Sequence, residues 1–292
     1  MPNIKLTVAY DGGEFHGWQI QPGLPTVQGL LTAVLQRITQ EQELIVNGAG
    51  RTDAGVHAWG QVVNFQTQSQ LPPAVFLRAV NALLPPSIRV RAAEEAGADF
   101  HARWHAKAKT YQYRIYRGCV LPPFCWRYVL HDPYPLDFTA MAEAARHFEG
   151  LHDFSTFAAS SGYEEVDQER TMTRGVFRSE WLRAPQTENE AAAKEAGTDF
   201  FAAQHEATAE EWIYIVRGQS FLRNMVRKMV GTLLEVGRGR LAPLDIARLL
   251  QKRDRTCSGP TAPPQALCLL SVEYPNAEDP PKSPSANIAG SS

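Results

Sequence analysis

From residue 4 to residue 10 apolar and polar side chains alternate, and the run ends at Asp11-Gly12-Gly13, so the chain opens as a half-buried strand entering a turn. The period then changes. Val27, Leu30, Leu31, Val34, Leu35 and Ile38 recur at three- and four-residue spacing behind Thr26, a capping residue, which predicts a helix to about Thr39. Residues 44–46 read as a short strand, 48–60 as a glycine-punctuated loop and 62–65 as a strand. Pro72 and Pro73 open a helix that reaches Leu84 before Pro85 and Pro86 stop it. Strands are expected over 88–92 and over 110–116, whose aromatics suit a pleated face.

The second half keeps this rhythm without visible repetition. A helix over 138–148 ends at Gly150, strands follow over 176–182 and 211–217, and a helix over 243–250 precedes a last strand over 267–274. The most strongly patterned helix spans 221–236, with Phe221, Leu222, Met225, Val226, Met229, Val230, Leu233 and Leu234 forming its apolar stripe. Arg223 and Arg227 stand one turn apart on the opposite side, toward solvent or a cleft. Strands and helices mix irregularly with hairpin-like neighbours, which predicts an α+β layered sheet rather than a doubly wound parallel one. Residues 185–210 read as a polar insertion between two strands, and 276–292, rich in proline and serine, as a disordered tail.

Composition narrows the function classes. The 292 residues are 44% hydrophobic and 21% charged, ordinary globular values. No apolar run approaches the ~18 residues of a membrane span, and the first ten residues read as a strand rather than a signal peptide. A soluble, cytoplasmic protein is the expectation. Cys119 and Cys125, and Cys257 and Cys268, lack zinc-ligand spacing and read as reduced thiols. His101 and His105 are four apart, but no third ligand accompanies them and Arg103 and Lys107 repel a cation, so no metal is expected.

Charge changes the picture more. The net charge of −2 hides two acid-free segments. Residues 100–131 hold Arg103, Lys107, Lys109, Arg114, Arg117 and Arg127, interleaved with Trp104, Tyr111, Tyr113 and Tyr116. Residues 212–234 add Arg217, Arg223, Arg227 and Lys228. The acids collect in 163–169 and in the insertion. One such run is usually a solvated face, but two, with aromatics among them, suit a polyanion whose bases can stack.

The segment Gly48-Ala49-Gly50-Arg51-Thr52-Asp53-Ala54-Gly55-Val56-His57 carries the candidate chemistry. Its three glycines permit positive φ and close approach of a ligand. On these residues alone Asp53 reads more often as a turn residue or helix cap than as a reacting group. The loop fits neither the P-loop nor the G-x-G-x-x-G dinucleotide pattern.

The stretch Gly50-Arg51-Thr52-Asp53-Ala54-Gly55-Val56-His57-Ala58 resembles the signature of the TruA family of tRNA pseudouridine synthases. Four further blocks resemble the same family in its order: Tyr10-Asp11-Gly12 through Phe15-His16-Gly17-Trp18-Gln19, Lys109-Thr110-Tyr111-Gln112-Tyr113, Phe221 to Arg227, and Ala262-Pro263-Pro264 leading to Leu267. Ala266 departs from the family's usual glycine and removes no reactive group. The resemblance implies the pseudouridine synthase fold, a mixed, mainly antiparallel sheet flanked by helices. In it two α+β subdomains, here 1–106 with the catalytic loop and 107–275, meet at a basic cleft. It implies isomerisation of uridine to pseudouridine in the anticodon arm of tRNA, at about positions 38, 39 and 40, by a homodimer, with no cofactor and no membrane.

Residue by residue, the resemblance makes Asp53 the carboxylate that either attacks ribose C1′ or removes the 2′ proton. Arg227 is its ion-pair partner, expected to hold the Asp53 pKa below its usual range. Tyr111 stacks on uracil, and its hydroxyl could serve the C5 proton. Leu267 packs the other face of the base. Arg51 contacts RNA and fills the gap left by the flipped nucleotide, Arg223 also binds RNA, and His57 either contacts RNA or makes a structural hydrogen bond. Two rivals remain. A binding-only RNA module would have no use for Asp53, Tyr111 and Arg227 together, and a nucleoside glycosidase would not need so long a basic surface.

Overall fold

The computed structural model describes residues 1–159, 171–184 and 210–275. The tail, the acidic run 163–169 and nearly all of the polar insertion lie outside them.

Alternating strand sequences pair into one ten-stranded sheet. The strands are β1 (Asn3–Tyr10), β2 (Asn47–Gly48), β3 (His57–Gln66), β4 (Ile88–Ala96), β5 (Ala108–Tyr116), β6 (Leu130–His131), β7 (Gly150–Asp153), β8 (Thr173–Arg183), β9 (Glu211–Gly218) and β10 (Leu267–Glu273). The order is β4-β1-β3-β10-β5-β9-β8-β7, with β2 on β3 and β6 on β5. The α+β expectation holds: among the described strands only β10 with β3 and β5 with β6 run parallel.

The last strand occupies the centre. β10 runs parallel to β3, with Cys268 opposite His57, and antiparallel to β5, with Leu269 opposite Tyr111. This register brings the segment leading into β3, the start of β10 and the middle of β5 to one place. Leu267, Tyr111 and the loop that carries Asp53 are neighbours for that reason.

Five helices among the described residues cover the sheet: α1 (Val27–Thr39), α2 (Pro73–Leu83), α3 (Phe138–Arg146), α4 (Met225–Gly237) and α5 (Asp245–Lys252). The Thr26 hydroxyl accepts from Gly29 N–H, the cap that the sequence predicts. α1 and α2 pack together and α2 lies on β4, while α3 packs on α4 and β8. Buried apolar side chains from Ile4 to Leu269 form one continuous core through both halves.

Three expectations need correction. Residues 44–46 are not a strand; Leu44 and Val46 are buried, but the ladder with β3 is made by Asn47 and Gly48. Leu30 lies 36% exposed, off the buried face of α1 formed by Val27, Leu31 and Leu35. The helix expected from Phe221 starts at Met225, because Asn224 takes a left-handed conformation (φ 59°) that a helix cannot continue through.

Candidate active site

The loop between β2 and β3 is pinned by its backbone on both sides of Asp53. Thr52 C=O accepts from Trp18 N–H (3.1 Å), Asp53 C=O from Val56 N–H (3.1 Å), and Phe15 C=O from Gly55 N–H (3.3 Å). The Thr52 hydroxyl meets the Tyr10 hydroxyl at 2.8 Å. Of the loop's three glycines only Gly55 has positive φ (79°). The turn after β1 presses against the loop: a Cβ on Gly12 would stand 2.1 Å from Val56 O, so only glycine fits there. With the backbone so fixed, the Asp53 side chain is preorganised.

Its carboxylate lies 3.6 Å from an Arg227 Nη. Arg227 is itself oriented: Nε donates to Ala262 O (2.7 Å) and Nη1 to Asn224 Oδ1 (3.2 Å). The left-handed Asn224 that delays the helix thus also aims the arginine. Arg223 falls in the turn before α4 rather than on it, and it faces the same cleft. The expectation that Arg227 would hold the Asp53 pKa low is not met. Desolvation by burial outweighs the pull of Arg227 and Arg223, and the pKa is raised above the usual 3.8.

Tyr111 is buried, with its ring edge-on to Phe221 (centroids 5.2 Å apart, 84° between planes). Burial first, then the nearness of Tyr10 and Asp53, push its hydroxyl pKa up, so the group stays protonated at neutral pH. Leu267 is buried at the head of β10. Asp53, Tyr111, Leu267, Arg51, Arg223 and Arg227 all line a single cleft of about 2370 Å³. Small-molecule pockets hold ~300–1,000 Å³, so this one is scaled to a larger ligand.

The cleft's charge is assembled in space, not along the chain. Within the two acid-free segments, Arg114 pairs with Glu211, Arg217 with Glu273 (2.6 Å) and Arg127 with Glu14 (3.7 Å), so these three are neutralised from elsewhere. The cleft lining draws Arg174, Arg253 and Arg255 from outside these segments, with Arg51, Arg103 and Lys109, and Arg253 there also pairs with Asp153 (3.2 Å). Trp104, 73% exposed, stacks on His101 at 3.8 Å on the cleft wall and offers a ring face to a base.

The sequence profile of the tRNA pseudouridine synthase family matches residues 6–105 and 144–275. The tRNA pseudouridine synthase A of Solibacter usitatus is 45% identical over 274 residues, 94% of this chain and 100% of the relative. That of Moorella thermoacetica is 42% identical over 282 residues (94% and 100%), and that of Geobacillus kaustophilus 41% over 271 (93% and 94%). The chain belongs to the tRNA pseudouridine synthase family.

Within this tRNA pseudouridine synthase fold, one expected site residue falls outside the cleft. His57 is the first residue of β3, not part of the loop, and is buried beneath it. Its Nδ1 accepts from Gly12 N–H (3.0 Å), and its Nε2 lies 2.9 Å from both Arg127 O and Gln265 O. These bonds tie the first turn, the Arg127 loop and the approach to Leu267 to the strand that follows the Asp53 loop. His101 and His105 sit in a turn, not on a helix face, and the Nδ1 of each accepts a backbone N–H. Sequence reasoning passed over Lys109 as a site residue, although its place two positions from Tyr111 on a strand puts both on one face. Arg174 carried no signal, whereas the short basic cluster Lys252-Arg253-Asp254-Arg255 was a signal that could have found Arg253 and Arg255.

Proposed function

We propose that this protein isomerises uridine to pseudouridine in the anticodon arm of tRNA, at about positions 38, 39 and 40, with Asp53 as the catalytic carboxylate. The observation that carries the reading is the Asp53–Arg227 pair at 3.6 Å in a basic cleft also lined by Tyr111 and Leu267. The target uridine leaves its stack and enters the cleft, where Arg51 occupies the gap and Arg223 holds the strand. Asp53 acts on the ribose, the C1′–N1 bond breaks, uracil turns between Tyr111 and Leu267, and a C1′–C5 bond forms. The C5 proton then leaves to solvent and the freed N1 takes one up. Product and substrate are isomers, so no co-reactant is consumed. The seam between β3 and β10 divides subdomain 1–106 from 107–275. The enzyme works as a cytoplasmic homodimer. Incubating purified protein with unmodified tRNA and mapping pseudouridine by position tests the reading; product confined to 38–40 is expected, and product elsewhere or none contradicts it.

Because Tyr111 stays protonated, its hydroxyl serves as a relay, taking the C5 proton as it passes on its own. Tyr111→Phe is expected to cut single-turnover product formation by about 10²–10⁴-fold with tRNA affinity retained. Tyr111→Ala also loses roughly 1–3 kcal/mol of base stacking. Equal rates for Phe and wild type would remove the hydroxyl from the chemistry.

The raised Asp53 pKa fixes the sign of the pH dependence. Only the carboxylate reacts, so activity is full above the raised pKa and falls as pH drops through it. Arg227→Gln removes the largest opposing charge, raises that pKa further, and should move the acid limb of the pH–rate profile to higher pH. An unmoved limb in this variant would show that Arg227 does not govern the ionisation.

A further inference from the structure

Lys109 is a buried cleft cation that the mechanism leaves unused. It is only 8% exposed, yet it lines the cleft. A Cβ on Gly50 would stand 3.3 Å from its Cε and 3.8 Å from its Nζ, so the lysine stem lies along the catalytic loop where a side chain at position 50 would go. Among the described residues no acceptor or carboxylate partners its ammonium. The carboxylate of Asp53 feels Arg227 and Arg223, so Lys109 is not its counterion. Burial, then the nearness of Arg103 and Arg174, pulls the Lys109 pKa down to about 8. An ammonium so desolvated is costly to keep charged until an anion meets it.

We propose that Lys109, beside Arg103 and Arg174, seats one backbone phosphate of the RNA strand next to the uridine held at Asp53. The inference rests on the tRNA reading and names a contact within it. Of the groups an RNA strand brings to this place, only the phosphodiester carries a full negative charge before reaction; uracil enters neutral. An ammonium suits it as a compact point charge with three donors. The seat also fits the glycine at position 50, since a methyl there would press on the lysine stem at 3.3 Å.

A chemical double-mutant cycle provides the test. Anticodon stem-loop RNAs, each with one uncharged methylphosphonate linkage near the target uridine, are titrated against the full-length wild type, Lys109→Met and Lys109→Arg. Lys109→Met should weaken binding of unmodified RNA by about tenfold and lower the log–log salt slope by roughly one. One linkage should weaken wild-type binding by a similar factor and add nothing in Lys109→Met, because the two changes remove the same contact. Lys109→Arg should keep that coupling.

The sign with pH is also fixed. Wild-type binding weakens as pH rises through about 8 and Lys109 loses its proton, whereas Lys109→Arg stays flat. The other groups near the ammonium do not produce this: Arg103 and Arg174 remain charged, Tyr111 remains neutral, and His101 titrates below its usual value. Additive effects at every linkage would overturn the seat, as would a Lys109→Met loss confined to kcat. Wild-type protein that forms no pseudouridine in unmodified RNA would instead overturn the functional reading, so the two failures are separable.

Discussion

Asp53→Asn is expected to abolish pseudouridine formation, with a rate loss on the order of 10⁴ or more, while tRNA affinity stays within a few fold. The substitution is isosteric and changes little but charge. The loop's backbone bonds come from Thr52 O, Asp53 O and Gly55 N, none of which involves the carboxylate. Arg227 keeps its bonds to Ala262 O and Asn224 Oδ1 and so stays in place. Affinity comes from the many cleft cations rather than from this one acid, whose removal lightens the negative charge facing the RNA. Single-turnover conversion and binding of the same tRNA by both proteins provide the check. A variant that converts tRNA at the wild-type rate contradicts the role of Asp53, and one that fails to bind assigns it to binding instead.

Gly231→Ala should be the most damaging single methyl in the described part of the chain. A Cβ there would stand 1.7 Å from Pro260 O, a backbone atom that no rotamer change can move. α4 meets the 259–262 strap at close quarters here, with Gly259 N–H donating to the Thr232 hydroxyl (3.0 Å). The same strap holds Arg227, since Ala262 N–H donates to Arg227 O (3.1 Å) and Ala262 O accepts from Arg227 Nε (2.7 Å). Pushing it away should cost roughly 3 kcal/mol or more and lower Tm by about 5–10 °C. It should also reduce kcat by releasing Arg227 from Asp53. Gly239→Ala is the control: Gly239 has φ 71° with open space around it, so the change should cost about 1 kcal/mol of backbone strain and leave kcat alone. Matching Tm losses in the two variants would remove the packing argument.

These two positions mark where the sequence was legible and where it was not. The strands and helices that bury one face announced themselves through period, because burial alone selects the residue types at β1, β5 and α1. The Asp53 loop was legible as a candidate site through its glycines and the run of residues around it. Asn224 was not: its left-handed φ is a local backbone choice, and the apolar stripe runs on through it without a break. Nor was the paired state of Arg114 and Arg217, whose acids, Glu211 and Glu273, come from other strands. His57 read equally as an RNA contact and as a structural bond, since only the fold shows three backbone segments converging on its ring. The sign of the Asp53 pKa was misjudged for a related reason. The arginine is visible in the sequence, but the depth of burial that outweighs it is a property of the assembled cleft.

The central claim is that this cleft moves a uracil from N1 to C5 linkage on the ribose, using Asp53. A tRNA transcript carrying tritium at uracil C5 tests it most directly, because only rejoining at C5 expels that hydrogen while leaving the RNA intact. Wild-type protein should release tritium to water one for one with pseudouridine formed, with no change in RNA mass beyond the exchanged isotope. Asp53→Asn should release none. Free uracil in the supernatant, or tritium release that persists in Asp53→Asn, would contradict the account.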